Sequence, residues 1–351
     1  MTITKKKQSD LKQYDISSSP LFKLSSKRKL AELLGIEVSA LGRLQDKSGL
    51  TSQYRIFTDA KTRRFITEPI RDLLCVHKRL LSLLRRIAPP NYLHSAIKKR
   101  SYKTNAEAHV DGENILKIDI RKFYPAVKFH RVHEFFRSAL KCSPDVSVIL
   151  AKLCTVETNK FGSVHLPTGS CLSPILSFLV NRKMFDSIEA ECVQAGCGFT
   201  VYVDDITVSG KAANTMLLAK IASRIHQYGY EYHKIKTFFG SPAIVTGLIV
   251  NSGELHLPNR RKRRIDELQH TLTHSVGPLR QQLLAQLVGC LSEAEQIHPE
   301  YKVHRVSTMA RYSDVWKQVV DARLQKAKTK ATAKAKRKPR QTVMLPLRDA
   351  A

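Results

Sequence analysis

Phe199-Thr-Val-Tyr-Val-Asp-Asp-Ile-Thr-Val208 is the stretch that decides how this chain folds. Apolar β-formers on both sides of Asp204 and Asp205 predict strand, tight turn, strand. Two carboxylates held side by side repel each other, and folding alone gives no reason to set them at one tip. Divalent cations remove that cost, because hard ions such as Mg²⁺ take carboxylate oxygens and substrate phosphates as ligands. An Asp-Asp turn is also what an ordinary solvated hairpin carries, so a further acid is needed. Ile115-Leu-Lys-Ile-Asp-Ile120 supplies one: an apolar run of strand length with Asp119 near its end, followed by Arg121-Lys-Phe-Tyr-Pro125. A lone Asp at a strand end is commonplace, but Asp119 with Asp204 describes a two-metal phosphoryl-transfer site.

Composition bounds the partner. The 351 residues hold 59 Lys and Arg against 30 Asp and Glu, a formal charge of +29. These cations run along the whole length, which points to a polyanion, nucleic acid first and an anionic membrane surface second. No apolar run reaches membrane-spanning length, and Met1-Thr-Ile-Thr-Lys-Lys-Lys7 lacks the apolar core of a signal peptide, so a cytoplasmic protein is expected. The seven cysteines form no C-x-x-C pair and read as buried reduced thiols. The length allows a sizeable core and two or three subdomains.

Moving outward from the acidic stretches, residues 1–25 are polar, Ser-rich and basic and read as loose. A short helix is expected over 26–35, strands over 54–57 and 63–66, and a strong helix over 70–87 with His77 as a core histidine. Residues 91–114 read as irregular, with Asn105-Ala-Glu-Ala-His109 as loop chemistry. Helices are expected near 130–141 and 145–156. Leu166-Pro-Thr-Gly-Ser-Cys-Leu-Ser-Pro174 reads as a loop whose Gly169 lets backbone approach a ligand, feeding a single helix through about residue 195. A helix near 212–228, a basic strand over 232–239 and a strand or hairpin over 244–251 come next. Residues 259–322 read as basic helices, and 326–340 as a disordered Lys/Ala/Arg arm.

An Asp strand, a Pro-x-Gly-x-x-x-Ser-Pro loop and a Tyr-x-Asp-Asp hairpin, in that order, resemble a reverse transcriptase. Asn105-Ala-Glu-Ala-His109 resembles the Asn-Ala-x-x-His signature of bacterial retron reverse transcriptases, and Val245-Thr-Gly247 resembles their second signature. Arg64-Phe-Ile-Thr-Glu-Pro69 matches a finger motif, and Asn181 and Asp186 fit the helix after the glycine loop. Two departures stand out: Val203 replaces a common Ala, and Asp59-Ala-Lys-Thr-Arg63 lacks the usual glycine.

The resemblance implies an α+β, right-hand polymerase fold: a basic helical extension over 1–50, fingers and palm (an antiparallel sheet with helices) over 51–255, a helical thumb over 256–322, and a basic tail over 323–351. It implies two Mg²⁺ ions on Asp119, Asp204 and Asp205, with the Ile120 carbonyl as an extra ligand. Arg64 and Lys61 would grip the triphosphate, with Pro167 and Gly169 also lining the substrate site. Tyr124 would exclude a 2′-hydroxyl, and Lys236, with Lys234 second, would protonate the leaving group. Asn105, His109, Val245, Thr246 and Gly247, with Arg260, Arg261, Lys262, Arg263 and Arg264, would seat RNA. The implied partners are deoxynucleotides, a structured noncoding RNA serving as template and primer, its branched DNA product (msDNA) joined at a guanosine 2′-hydroxyl, and a separate antiphage effector. Rival readings are an RNA-dependent RNA polymerase, a group II intron-like or diversity-generating reverse transcriptase, and a non-catalytic RNA-binding scaffold.

Overall fold

A computed structural model of the chain describes residues 13–44 and 52–336. They fall into two compact units, the first ending at Leu255 and the second starting at His256. Residues 13–25 correct the expectation of a loose start. Leu21 and Leu24 are buried there, and the Tyr14 hydroxyl donates to the Leu83 carbonyl at 2.7 Å. A few well-placed contacts pin a segment whose composition reads as loose. Residues 1–12 lie outside the described residues.

Helix α1 (Lys27–Leu34) begins where Ser26 accepts the Lys29 N–H and ends at Gly35. After α2 (Val38–Arg43), strands β1 (Tyr54–Thr58) and β2 (Phe65–Pro69) pair antiparallel. Asp59 closes their loop by accepting the Thr62 N–H at 2.7 Å and hydroxyl at 2.6 Å, while Arg63, at φ 56°, adopts the left-handed backbone a glycine would favour. Helix α3 (Arg71–Leu84) stops short of Ile87, which bridges to Tyr14 instead. His77 on α3 is fully buried: its Nε2–H donates to the Leu153 carbonyl at 2.7 Å and its Nδ1 accepts from Ser170 at 2.6 Å.

Residues 91–114 are irregular only in part, with turns and bends around two ordered features. Leu93 bridges Val201 in parallel, and α4 (Tyr102–Glu107) starts on a capping box between Ser101 and Thr104. Next come β3 (Asn114–Ile120), α5 (Phe123–Ala126), α6 (Phe129–Glu134) running into a π turn at Phe135–Ala139, and α7 (Pro144–Cys154). A hairpin of β4 (Val156–Thr158) and β5 (Ser163–His165) follows. The single helix expected to run to residue 195 is two, α8 (Ser173–Val180) and α9 (Arg182–Gln194). The break is at buried Asn181, whose amide donates to the Ser177 carbonyl at 2.8 Å and competes with the backbone ladder.

Strands β6 (Gly198–Tyr202) and β7 (Asp205–Ser209), helix α10 (Thr215–Gln227) and strand β8 (Tyr232–Phe239) complete a four-stranded antiparallel sheet, in the order β6-β7-β3-β8. A smaller sheet holds β9 (Ala243–Val245), β10 (Leu248–Asn251) and β11 (Glu254–His256). The second unit packs α11 (Asn259–His274), α12 (Gly277–Glu295), α13 (Tyr301–Arg311) and α14 (Ser313–Lys336) around Leu268, Leu272, Leu284, Leu287 and Leu291. Helix α14 runs well into the stretch expected to be disordered. Ala, Lys and Arg, which make that stretch read as a solvated arm, are also strong helix formers. Residues 337–351 lie outside the described residues.

All seven cysteines are free; Cys142, Cys154, Cys192 and Cys197 are buried, while Cys75 and Cys171 are exposed, against the expectation of uniform burial. Among the described residues no helix is long and apolar enough to cross a membrane.

Candidate active site

Strand alternation sorts the four-stranded sheet into two faces. Leu116, Ile118 and Ile120 of β3 and Ile206 and Val208 of β7 are buried on one of them. Asp119 lies on the other, directly across from Asp205 of β7 and Lys234 of β8, and Asp205 in turn faces Tyr202. Residues directly opposite share a face. The tip row is therefore Tyr202, Asp205, Asp119 and Lys234, and the row behind it is Thr200, Thr207, Lys117 and Lys236. Asp204 sits in the β6–β7 turn, and its carbonyl accepts the Ile120 N–H at 3.0 Å, stapling the turn to the end of β3. Acids far apart in sequence thus meet at one edge.

The turn holds Val203 at φ 63°, where a β-branched side chain is strained by about 1–3 kcal/mol. Its N–H donates to the buried Ser95 hydroxyl at 3.0 Å, a support that nothing local in the sequence announces.

The acids carry negative charge that the protein leaves only partly offset. Burial, and then the charge of Asp119, push the Asp204 carboxyl up to about 6, against a smaller pull from Arg64. Burial also raises Asp119, opposed by His233, whose Nδ1 is 3.6 Å from Oδ2. Lys117 Nζ stands 3.5 Å from Asp205 Oδ2. Among the described residues no group of three or more His, Cys, Asp or Glu side chains is arranged to hold a metal ion by itself. This donor set still fits Mg²⁺, which usually binds through one or two carboxylates plus water and substrate phosphate, not through an all-protein cage.

Other expected substrate residues divide. Arg64 and Lys61 are exposed, and Arg64 is near enough for its charge to reach Asp204. Tyr124 is half-buried, and burial followed by the charge of Asp204 raises its phenol. Pro167 is buried, so it does not face a ligand. Gly169 serves packing: its N–H donates to the Thr67 carbonyl at 3.0 Å, and a Cβ there would lie 2.8 Å from Ile66 Cγ2. The two lysines expected as proton donors lie in different rows of the sheet. Lys234 is the cross-strand partner of Asp119, while Lys236 lies a row back, opposite Lys117.

Asn105, His109 and Val245 are 0%, 1% and 0% exposed, which corrects their placement as residues that touch RNA. His109 seals the base of the same sheet face. Its Nδ1 is 2.7 Å from Ser209 Oγ on β7 and its Nε2 2.7 Å from Thr200 Oγ1 on β6. Burial, with smaller contributions from His94 and Lys117, lowers its pKa to about 3. The Asn105 amide is buried with no hydrogen-bond partner on either atom. Thr246 and Gly247, half-buried at φ 45° and 84°, make the type I′ turn between β9 and β10, and Thr246 Oγ1 donates to the Tyr102 carbonyl of α4 at 2.6 Å. The two signatures are braced against each other inside the fold. Helical spacing was the available clue, since Asn105, Ala106 and His109 are three and four residues apart, although the helix ends at Glu107 and His109 follows in the turn.

In the second unit Arg260, Lys262 and Arg263 are exposed on α11. Arg261 is held by Glu293 at 2.8 Å, and Arg264 donates to Gln286 at 3.2 Å, so both also serve helix packing.

Comparison with known proteins agrees with this geometry. The family model described as "Reverse transcriptase (RNA-dependent DNA polymerase)" matches residues 46–272. The chain is 26% identical over 336 residues to the retron Se72 reverse transcriptase of Salmonella heidelberg, covering 84% of this chain and 86% of that one. It is 26% identical over 224 residues to the retron Ec86 reverse transcriptase of Escherichia coli, 61% of this chain and 68% of the relative. Against the retron Mx162 reverse transcriptase of Myxococcus xanthus it is 27% identical over 277 residues, covering 70% of this chain but 57% of the relative. A family match over more than half the chain, onto a sheet whose acids share one edge, leads to one conclusion: the chain belongs to the reverse transcriptase (RNA-dependent DNA polymerase) family, in the company of the bacterial retron reverse transcriptases.

Proposed function

We propose that this chain is the polymerase of a retron, working in the bacterial cytoplasm and copying a structured noncoding RNA of its own locus into a branched RNA–DNA hybrid. The observation that carries the reading is the single edge shared by Asp119, Asp204 and Asp205. On this reading the four-stranded sheet is the palm, β1 and β2 belong to the fingers, and the second unit is the thumb.

Asp119 and Asp204 would hold two Mg²⁺ ions, with Asp205 and the Ile120 carbonyl assisting; when bound, such ions supply nucleophile activation and neutralise phosphate charge. Arg64, with Lys61 on the adjoining loop, orients the triphosphate by charge-assisted hydrogen bonds. Lys234, nearer Asp119 than Lys236, offers the proton for the leaving phosphate oxygen. Tyr124 presents its ring beneath the incoming sugar and excludes a 2′-hydroxyl. Arg260, Lys262 and Arg263 contact RNA phosphates, the contacts that suit shape-based recognition of structured RNA. Asn105, His109 and the Val245-Thr246-Gly247 turn act from within the fold. Priming from an internal guanosine 2′-hydroxyl, and a role in antiphage defence beside a separately encoded effector, complete the proposal.

The test is an assay with the upstream noncoding RNA as sole template and primer. A deoxynucleotide-dependent, alkali-resistant product that stays covalently joined to RNA supports the reading, and a ribonucleotide-dependent, alkali-labile product refutes it. Tyr124→Ala is expected to raise ribonucleotide incorporation by about tenfold or more, the scale of one lost steric contact at a reacting sugar; an unchanged sugar preference removes that role.

A further inference from the structure

The proposed chemistry leaves one cationic cavity unused. It encloses about 540 Å³ beside the stretch that follows Asp119, and Arg121, Lys122, Lys128, His130, Arg131 and Lys160 line it. Its single acid is Glu231, already 2.8 Å from Arg121. Cations gathered this closely raise the energy of the fold unless an anion joins them.

The cations are also held in place. The Arg131 guanidinium lies 4.6 Å over the Tyr230 ring and donates to the Tyr228 carbonyl. Lys128 Nζ donates to Ser163 Oγ at 2.6 Å. Lys160 Nζ is 4.7 Å over the ring of Phe65, the residue after Arg64. The Arg121 N–H donates to the Glu231 carbonyl at 2.7 Å, fixing the two walls to each other. The cavity therefore adjoins the segment that follows β3, and Lys160 on its wall reaches Phe65 at the start of β2. Ammonium and guanidinium groups gathered around an open pocket of this size suit a compact polyanion, and the volume is that of a small-ligand site. A polynucleotide backbone calls for an extended track instead.

We propose that this cavity is a second polyphosphate site, distinct from the Arg64 grip. It would take the triphosphate of a waiting nucleotide or the pyrophosphate released by polymerisation. That choice of ligand rests on the polymerase reading, whereas the binding itself does not.

The experiment titrates inorganic tripolyphosphate into the full chain by calorimetry, in metal-free buffer at physiological ionic strength, with no template present. A chain that made no DNA would still pass, so this failure and failure of the polymerase reading are separable. A saturable site that persists in the Arg64→Glu protein is expected. Lys122→Glu and Lys160→Glu, both at exposed side chains, should each weaken it at least fivefold. Lys220→Glu, the same charge change at an exposed side chain of α10, should weaken it less than twofold. Parallel titrations with deoxythymidine triphosphate and with pyrophosphate name the source by the tighter binder. Equal weakening by Lys220→Glu, no weakening by either cavity variant, or displacement of tripolyphosphate by a hydroxyl-ended oligoribonucleotide would each overturn the proposal.

Discussion

The two ends of one sheet face solve opposite problems. At the tip, Asp119 and Asp205 face each other and Asp204 occupies the turn, a concentration of negative charge that Lys117, Lys234, Arg64 and His233 only partly offset. At the base the same face is dry, and neutral His109 ties Ser209 to Thr200. The turns near the two ends are alike in backbone: Val203 beside Asp204 and Thr246 beside Gly247 each hold a β-branched residue at positive φ. Charge is what separates the ends: the tip stores it, while His109 at the base spends its hydrogen bonds on rigidity. Folding accounts for His109; the tip makes sense only with a ligand.

This contrast can be broken at either end. The largest effect is expected at the tip. Asp204→Asn should cut DNA synthesis at least about a thousandfold, as loss of a principal electrostatic group does, while the melting temperature holds or rises because a repelling charge has gone. A parallel fall in stability would make the tip structural. At the base, His109→Ala should cost about 2–4 kcal/mol in urea unfolding, from the cavity and two stranded hydroxyls. A cost near zero would mean that the brace is dispensable.

Acidity sharpens the comparison further. His109 and His77 have folded pKa values lowered to about 3 and about 4 from an ordinary 6.5, so both stay neutral in the fold while the unfolded chain takes up protons. Stability from these groups is whole above pH 6.5 and falls as pH drops toward 4, by about 1.4 kcal/mol per pH unit for each histidine. Calorimetry between pH 7 and 5 should show this slope, and replacing His109 should remove about half of it. The smallest expected effect is at the strained turn: Val203→Gly should stabilise the protein by about 1 kcal/mol, read from the urea midpoint. A loss of stability there would show that the valine side chain packs favourably enough to outweigh its backbone.

The tip was legible in the sequence because paired acids between β-formers have no structural motive. The register that joins Asp119 to Asp205 follows from ordinary strand alternation in Leu116, Lys117 and Ile118. The base was harder to see. Asn105 sits on a helix too short for a periodicity window, His109 lies in the turn just past its end, and the partners Thr200 and Ser209 lie far along the chain. Gly169 looked like room for a ligand because its tight neighbour, Ile66, comes from another element. Asn181 broke a helix through a side-chain bond that composition does not announce. The Lys/Ala/Arg stretch of α14 was ambiguous in kind, since the same residues favour both a solvated arm and a helix.

The most direct test is diffraction from crystals grown with Mn²⁺ and a non-hydrolysable deoxynucleotide, read by the anomalous signal of the metal. Two peaks within bonding distance of Asp119 and Asp204 are expected, both absent from the Asp204→Asn protein. A nucleotide in place with no peak at that edge would contradict the account.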